Sequence, residues 1–297
     1  MKLTSRNANL LLMLAAVIWG FAFVAQRVGM RFVGPLTFNG VRFALGAAAL
    51  TPLLMWGPKT GAAPGPGGRT QVFKGGLIAG VVLFMGATLQ QYGVVYTTAG
   101  KAGFITGLYV VFVPLLGLLV GQKTGRFVWA GAVAAAVGLY LLSAKGIAGI
   151  DPGDGLVLLS ALFWATHVLV IGRLSRRIEP VPLAVAQFSV VSVLSLLGAV
   201  LFETIDPEAL RAAAIPILYA GLLSVAVAYT LQVVAQRRAR PAHAAIILSF
   251  ESVFAALGGW LVLGEGLSTR GIFGCFLMMA GILLAQADPA REEPHSF

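Results

Sequence analysis

What most limits the fold of this chain is a recurrence of apolar runs, each long enough to cross a bilayer as a helix. Ten of them follow one another: 8–26, 35–56, 74–96, 99–121, 127–145, 155–172, 181–202, 212–235, 241–263 and 269–287. A helix of about 20 residues, rising about 1.5 Å per residue, matches a hydrocarbon core of roughly 30 Å. The runs are continuous rather than alternating, which argues against barrel strands. Most connections are a few residues long, so consecutive helices must pack antiparallel. The most open break is 57–68 (GPKTGAAPGPGG), whose Gly and Pro hold neither helix nor strand.

Composition agrees with a bilayer as the solvent. Of 297 residues, 58% are hydrophobic and 11% charged, against roughly 25% charged in a soluble globular protein. Such a chain can neither cover a soluble enzyme domain with polar surface nor stay disordered. Lys2 and Arg6 ahead of the run at 10–17 resemble a secretory leader, but no good small-x-small cleavage site follows. That segment reads as the first membrane helix.

The net charge of +10 would suggest nucleic acid in a soluble protein. Here the cations sit in short clusters between the runs, where the positive-inside rule accounts for them, and no nucleic-acid partner is expected. With the N-terminus inside, the cytoplasmic connections hold fourteen of the 21 cations: Lys2, Arg6, Lys59, Arg69, Lys74, Lys123, Arg126, Arg173, Arg176, Arg177, Arg237, Arg238, Arg240 and Arg291. The other side holds Arg27, Arg31, Lys101, Lys145, Arg211 and Arg270, with the acids Glu203, Asp206 and Glu208. Both termini are therefore expected in the cytoplasm of a multi-pass inner-membrane protein. Cys275 is the only cysteine, and His167, His243 and His295 are scattered, so no metal site and no cofactor are expected.

Sliding the chain over itself uncovers a repeat. At an offset of 145, Ala16-Val17-Ile18-Trp19-Gly20 lies over Ala161-Leu162-Phe163-Trp164-Ala165, Pro35 over Pro180, and Arg42-Phe43 over Gln187-Phe188. At 143, Gly121-Gln122 lies over Gly264-Glu265, Gly131 over Gly274 and Gly138 over Gly281. Each copy has five spans, an odd number, so the second enters the membrane from the opposite side. The expected fold is an all-α integral membrane protein of ten helices. It divides into two inverted five-helix repeats, 1–146 and 147–297, which together form one transmembrane domain.

The first half carries Tyr96-Thr97-Thr98-Ala99-Gly100-Lys101-Ala102, leading to Val113-Pro114-Leu115. The second carries Arg240-Pro241-Ala242-His243-Ala244-Ala245, then Glu251-Ser252-Val253-Phe254-Ala255-Ala256, then Leu263-Gly264-Glu265. In these motifs the sequence resembles the EamA-type branch of the drug/metabolite transporter superfamily. Ser252 stands where that family usually has proline, and Gln122 occupies the first-half position matching Glu265. The resemblance implies ten helices around a central cavity and export of small metabolites, amino acids among them.

Several residues could carry the chemistry. Glu251 lies about ten residues into the ninth span, where an ionised carboxylate costs at least ~2.5 kcal/mol. It reads either as a contact for a substrate ammonium or proton, or as a protonated link between helices. Arg42, about seven residues inside the second span, either snorkels outward or offers its planar fork to a substrate carboxylate. The repeat sets Gln187 opposite it. Trp19 and Trp164 are equivalent and mid-span, positions that suit a substrate path, whereas Trp56 and Trp129 near span ends read as interface anchors. His167, one turn beyond Trp164, either relays protons or is structural. Gln90, Gln91, Gln232 and Gln236 must face the bundle interior. Gly76-xxx-Gly80, Gly103-xxx-Gly107 and Gly117-xxx-Gly121 read as close-packing faces, and Pro114 as a kink.

The candidate substrate-binding set is thus Trp19, Arg42, Gln90, Gln91, Trp164, His167, Gln187, Gln232 and Glu251. No paired intramembrane carboxylates and no nucleophile with a positioned base occur, which argues against an enzyme. No charged ring or carbonyl filter speaks for a channel. The expected function is export of amino acids or similar small metabolites by alternating access. The alternative is proton-driven export of hydrophobic or cationic drugs. The partners are a small-molecule substrate and the lipid bilayer, with the oligomeric state left open.

Overall fold

The computed structural model describes residues 4–56, 68–122, 124–142, 151–266 and 268–286. Residues 57–67 of the open break, the cations Lys2, Lys59, Lys123, Lys145 and Arg291, and His295 lie outside the described residues, as do the side chains of Trp56 and Cys275. The first three spans are α1 (Ser5–Gly29), α2 (Pro35–Trp56) and α3 (Gly68–Val95). The fourth is split into α4 (Ala99–Gly107) and α5 (Tyr109–Leu119), and the fifth is α6 (Arg126–Leu142). The second half runs α7 (Pro152–Leu174), α8 (Pro180–Phe202) and a short α9 (Pro207–Ala212). Its eighth span joins α10 (Ala214–Leu218), a π-helical stretch (Tyr219–Tyr229) and α11 (Thr230–Ala235). The ninth joins α12 (Pro241–Leu248) and α13 (Glu251–Leu263), and the tenth is α14 (Thr269–Gln286). Eight of the ten spans meet the length and hydropathy of a membrane crossing among the described residues, and α6 and α14 carry shorter apolar stretches. Leu119, Phe202 and Ile215 are about four-fifths exposed, as side chains facing lipid would be.

Local chemistry sets the starts. Thr4 accepts a hydrogen bond from the Asn7 backbone N–H and caps α1. Asp151 and Asp154 form a reciprocal capping box at α7, with Pro152 just inside. Gly121 and Gly264, aligned by the repeat, end α5 and α13 at φ 76° and 69°, a left-handed turn that favours glycine.

Both broken spans break at equivalent places. Leu108 bonds Ile105 and Phe250 bonds Ile247 across three residues instead of four, which tightens each helix locally. The interruption of the fourth span falls at Leu108, and α5 continues through Pro114. Gly117-xxx-Gly121 is likewise not a packing face, because Gly121 is the turn residue, with no atom close to where its Cβ would stand.

The halves exchange under a pseudo-two-fold. α1 packs on α13 and the π-helical stretch, and its counterpart α7 packs on α4, α5 and α3. The α6–α14 pair shows this most closely. A Cβ on Gly131 would stand 2.6 Å from the Gly281 carbonyl oxygen, and one on Gly138 would stand 2.6 Å from that of Gly274. Each glycine meets the counterpart of the other, as a two-fold requires. Gly76 and Gly80 seat α3 on α8 at Ala186 and Val190, and Gly103 seats α4 on α13 at Ala255.

One end of the bundle is fastened by charge. Glu203 accepts from Leu36 N–H, Thr37 N–H and Thr37 Oγ1 at 2.8, 2.8 and 2.7 Å, capping α2 from the other half. Glu265 accepts from Ala99 and Gly100 N–H at 3.0 Å each, capping α4. Lys101 pairs with Asp151 at 3.0 Å and Asp154 at 2.6 Å.

Candidate functional site

Where the halves meet, the helices leave a cavity of about 480 Å³, open solvent at its mouth included. Seven of the nine residues singled out from sequence line it: Trp19, Arg42, Gln90, Trp164, His167, Gln232 and Glu251. Gln187 reaches it only indirectly, through a 2.9 Å hydrogen bond between its Oε1 and His167 Nε2. Gln91 is buried away from it, with neither end of its amide hydrogen-bonded.

Tyr229 is the hub. Its ring centroid lies 4.7 Å from Trp19, 5.8 Å from Phe188 and 6.1 Å from Phe43, and its ring stacks on Trp164 at 6.2 Å. Such tilted and offset pairs are each worth about 0.5–1.5 kcal/mol beyond area burial. Trp19 Nε1 donates to the Ser224 carbonyl at 3.1 Å, and Tyr219 donates to the Ile18 carbonyl at 3.0 Å. Both bonds tie α1 to the π-helical stretch, and such departures from α geometry are frequent at functional sites.

Arg42 does not snorkel. It is 2% exposed, its Nε donates to Asn39 Oδ1 at 3.0 Å, and its guanidinium lies 5.5 Å from the Phe38 centroid and 5.0 Å from that of Phe43. Asn39 is itself held by a 3.1 Å bond from Nδ2 to the Ala87 carbonyl. Two rings and one amide thus hold the fork in place. Glu251, at the first turn of α13, is 4% exposed and lies beside Tyr109. Among the described residues Arg42 forms no ion pair and neither does Glu251, while Tyr229 neighbours both. No cluster of metal ligands occurs among the described residues.

The remaining polar groups divide by role. Gln90 donates to Thr106 Oγ1 at 3.0 Å, a bond between α3 and α4. Gln236 donates to the Val168 carbonyl at 2.9 Å outside the cavity, linking helices only. Among the described residues Trp164 Nε1, Gln26 Oε1 and Gln232 Oε1 are buried at the cavity without a partner, and buried polar atoms call for one.

Tyr229, Tyr109, Thr106, Gln26 and Phe23 line the cavity without having stood out in the sequence. The two tyrosines carried a usable signal. Each lies mid-span, away from the interfacial belts where tyrosine gathers.

Comparison with known proteins bears on what such a site does. The profile of a family described as "EamA-like transporter family" matches twice, over residues 6–144 and 151–286. An "uncharacterized transporter" of Archaeoglobus fulgidus is 34% identical over 93% of this chain and 85% of its own. The "uncharacterized inner membrane transporter YedA" of Escherichia coli is 25% identical over 85% of this chain and 81% of its own. A solved crystal structure 20% identical in sequence superposes with a TM-score of 0.74, covering 97% of this chain and 99% of that one, and so shares the fold.

Proposed function

This chain belongs to the EamA-like transporter family, a membrane transporter and not an enzyme, and on that premise we propose that it exports amino acids or similar small metabolites. One observation carries the substrate class. A buried cation, Arg42, and a buried carboxylate, Glu251, line one cavity without pairing to each other or to any other described charge. A zwitterion supplies both missing partners, its carboxylate to the Arg42 fork and its ammonium to Glu251. In a site walled by Trp19, Trp164 and Tyr229, the low dielectric strengthens both contacts. The aromatic faces receive the substrate's apolar part, Trp164 Nε1 donates a hydrogen bond to it and Gln232 Oε1 accepts one.

Transport proceeds by rocking of the unit 1–146 against 147–297 around this site. The protein works in the inner membrane with both termini cytoplasmic, so export runs from the N-terminal side. A second reading has one feature in its favour. A lone carboxylate beside stacked aromatic rings also suits a hydrophobic cation. Arg42 separates the two, since a cation gains nothing from it. Counterflow in proteoliposomes with a panel of radiolabelled amino acids tests the proposal. Saturable exchange that Arg42→Gln abolishes is the expected result. No exchange across the panel, with well-reconstituted protein, would refute it.

A further inference from the structure

The start of α4 meets the start of α7 at one end of the bundle. Their counterparts under the pseudo-two-fold, the starts of α12 and α1, meet at the other end. Aligning the starts of α4 and α12 sets an offset of 142, which also carries Leu108 onto Phe250 and places Lys101 over His243. The offset of 145 places Asp151 over Arg6 and Asp154 over Asn9. The contact of Lys101 with Asp151 and Asp154 is therefore the mate of the contact of His243 with Asn9.

The mates differ in chemistry. Lys101 and Asp154, 2.6 Å apart, are sheltered, with side chains 23% and 10% exposed; Asp151 is half exposed and counts for less. Thr97 Oγ1 also donates to Asp154 Oδ1 at 3.0 Å, and Glu265 holds the start of α4 through two bonds of 3.0 Å. Each of these acids lies in the second half and binds the first. Their mates at the other end are Arg6, Asn9 and Gln122, none of them an acid. There His243 and Asn9 share a hydrogen bond of 3.2 Å. Packing follows the same division. A Cβ on Gly93 would stand 2.8 Å from the Gly153 carbonyl oxygen, so α3 and the start of α7 touch through their backbones. Between the starts of α1 and α12 lies instead a recess of about 480 Å³, open solvent at its mouth included, lined by Ala8, Asn9, Ala239 and His243.

In a carrier built of inverted repeats, the two open states arise by exchanging the conformations of the halves. Identical halves would populate both equally, and a difference between mates favours one. We propose that the Lys101–Asp154 pair, with Glu265, latches one gate, and that the empty carrier rests with this gate shut and the Asn9–His243 gate opening. The cavity then loads from the side where α1 begins and α14 ends, as export requires with that side cytoplasmic. The proposal rests on alternating access and not on the substrate, so counterflow with amino acids can fail while the latch stands.

The test is double electron–electron resonance on the full-length protein in proteoliposomes without substrate, in a Cys275→Ser background. Spin labels at Tyr96→Cys and Gly155→Cys span the latched gate, and labels at Ser5→Cys and Arg238→Cys span the other; all four positions are exposed. The unlatched background should show one short distance across the first gate only if that gate is shut, and a broader, longer distribution across the second. Lys101→Met should raise the open-to-shut ratio of the first gate roughly 10-fold, the scale of a hydrogen bond to a charged group, and shorten the second distance. Asn9→Asp/His243→Lys installs the same pair at the mate positions and should shift both distances the same way, so the test survives a Lys101→Met that does not fold. A folded variant of either kind with unshifted distances overturns the proposal. A first gate already open before either change also overturns it.

Discussion

At the scale of single residues the site is a set of groups whose partners are only half supplied by the protein. Trp19 spends its indole N–H on the Ser224 carbonyl, whereas its repeat mate Trp164 keeps its own unpartnered at the cavity. Trp164→Ala should therefore cut transport far more than folded yield. Trp19→Ala should cut transport and also lower yield, since it releases α1 from the π-helical stretch. Trp129→Ala, near the start of α6, should leave transport nearly intact; initial rates per folded molecule decide among these outcomes. Glu251→Gln keeps the hydrogen bonds and removes the charge, so lost transport at normal yield identifies charge recognition or proton coupling, and retained transport identifies a structural link. Trp19, Arg42 and Glu251 were legible in the sequence because an apolar run exposes any bulky or charged intruder. Tyr229 was only partly legible: its place inside a span marks it, but a tyrosine among alanines and valines says nothing about which rings converge on it.

At the scale of elements the two halves are held by backbone approach in the spans and by carboxylate caps at one end. Gly131 and Gly281 face each other across α6 and α14 too closely for any side chain. Gly131→Leu should destabilise the protein by about 1–3 kcal/mol, the usual range for overpacking, seen as an earlier melting transition in detergent. Glu203→Ala removes three hydrogen bonds from the start of α2. A lost N-terminal cap of this kind should cost about 0.5–2 kcal/mol, and Glu203→Gln should recover part of it. The glycine positions were aligned from sequence alone, but their pairing across the two-fold was not, because an alignment states equivalence and not contact. The fourth and ninth spans teach the same lesson: proline marked Pro114 in the sequence, while nothing there marked the tightening at Leu108 and Phe250.

At the scale of the molecule the arrangement is ten helices in two exchanging halves with a cavity between them. The excess of cations on one side predicts both termini in the cytoplasm. A C-terminal green fluorescent protein fusion should glow and an alkaline phosphatase fusion at the same place should stay inactive; the reverse pattern would invert the direction assigned to transport. Membrane residence, the number of spans and their repeat follow from the sequence by itself, because each is a statement about length, polarity and period along one chain. The tertiary structure alone decided that Arg42 turns inward onto Phe38 and Phe43, that Gln91 lies away from the cavity, and that Gln187 reaches it only through His167. In a bilayer nearly every side chain is apolar, so hydropathy cannot say which face of a helix meets lipid, a neighbour or a cavity. That choice is made by shape and by the hydrogen bonds buried polar atoms must find, and both depend on residues distant in sequence.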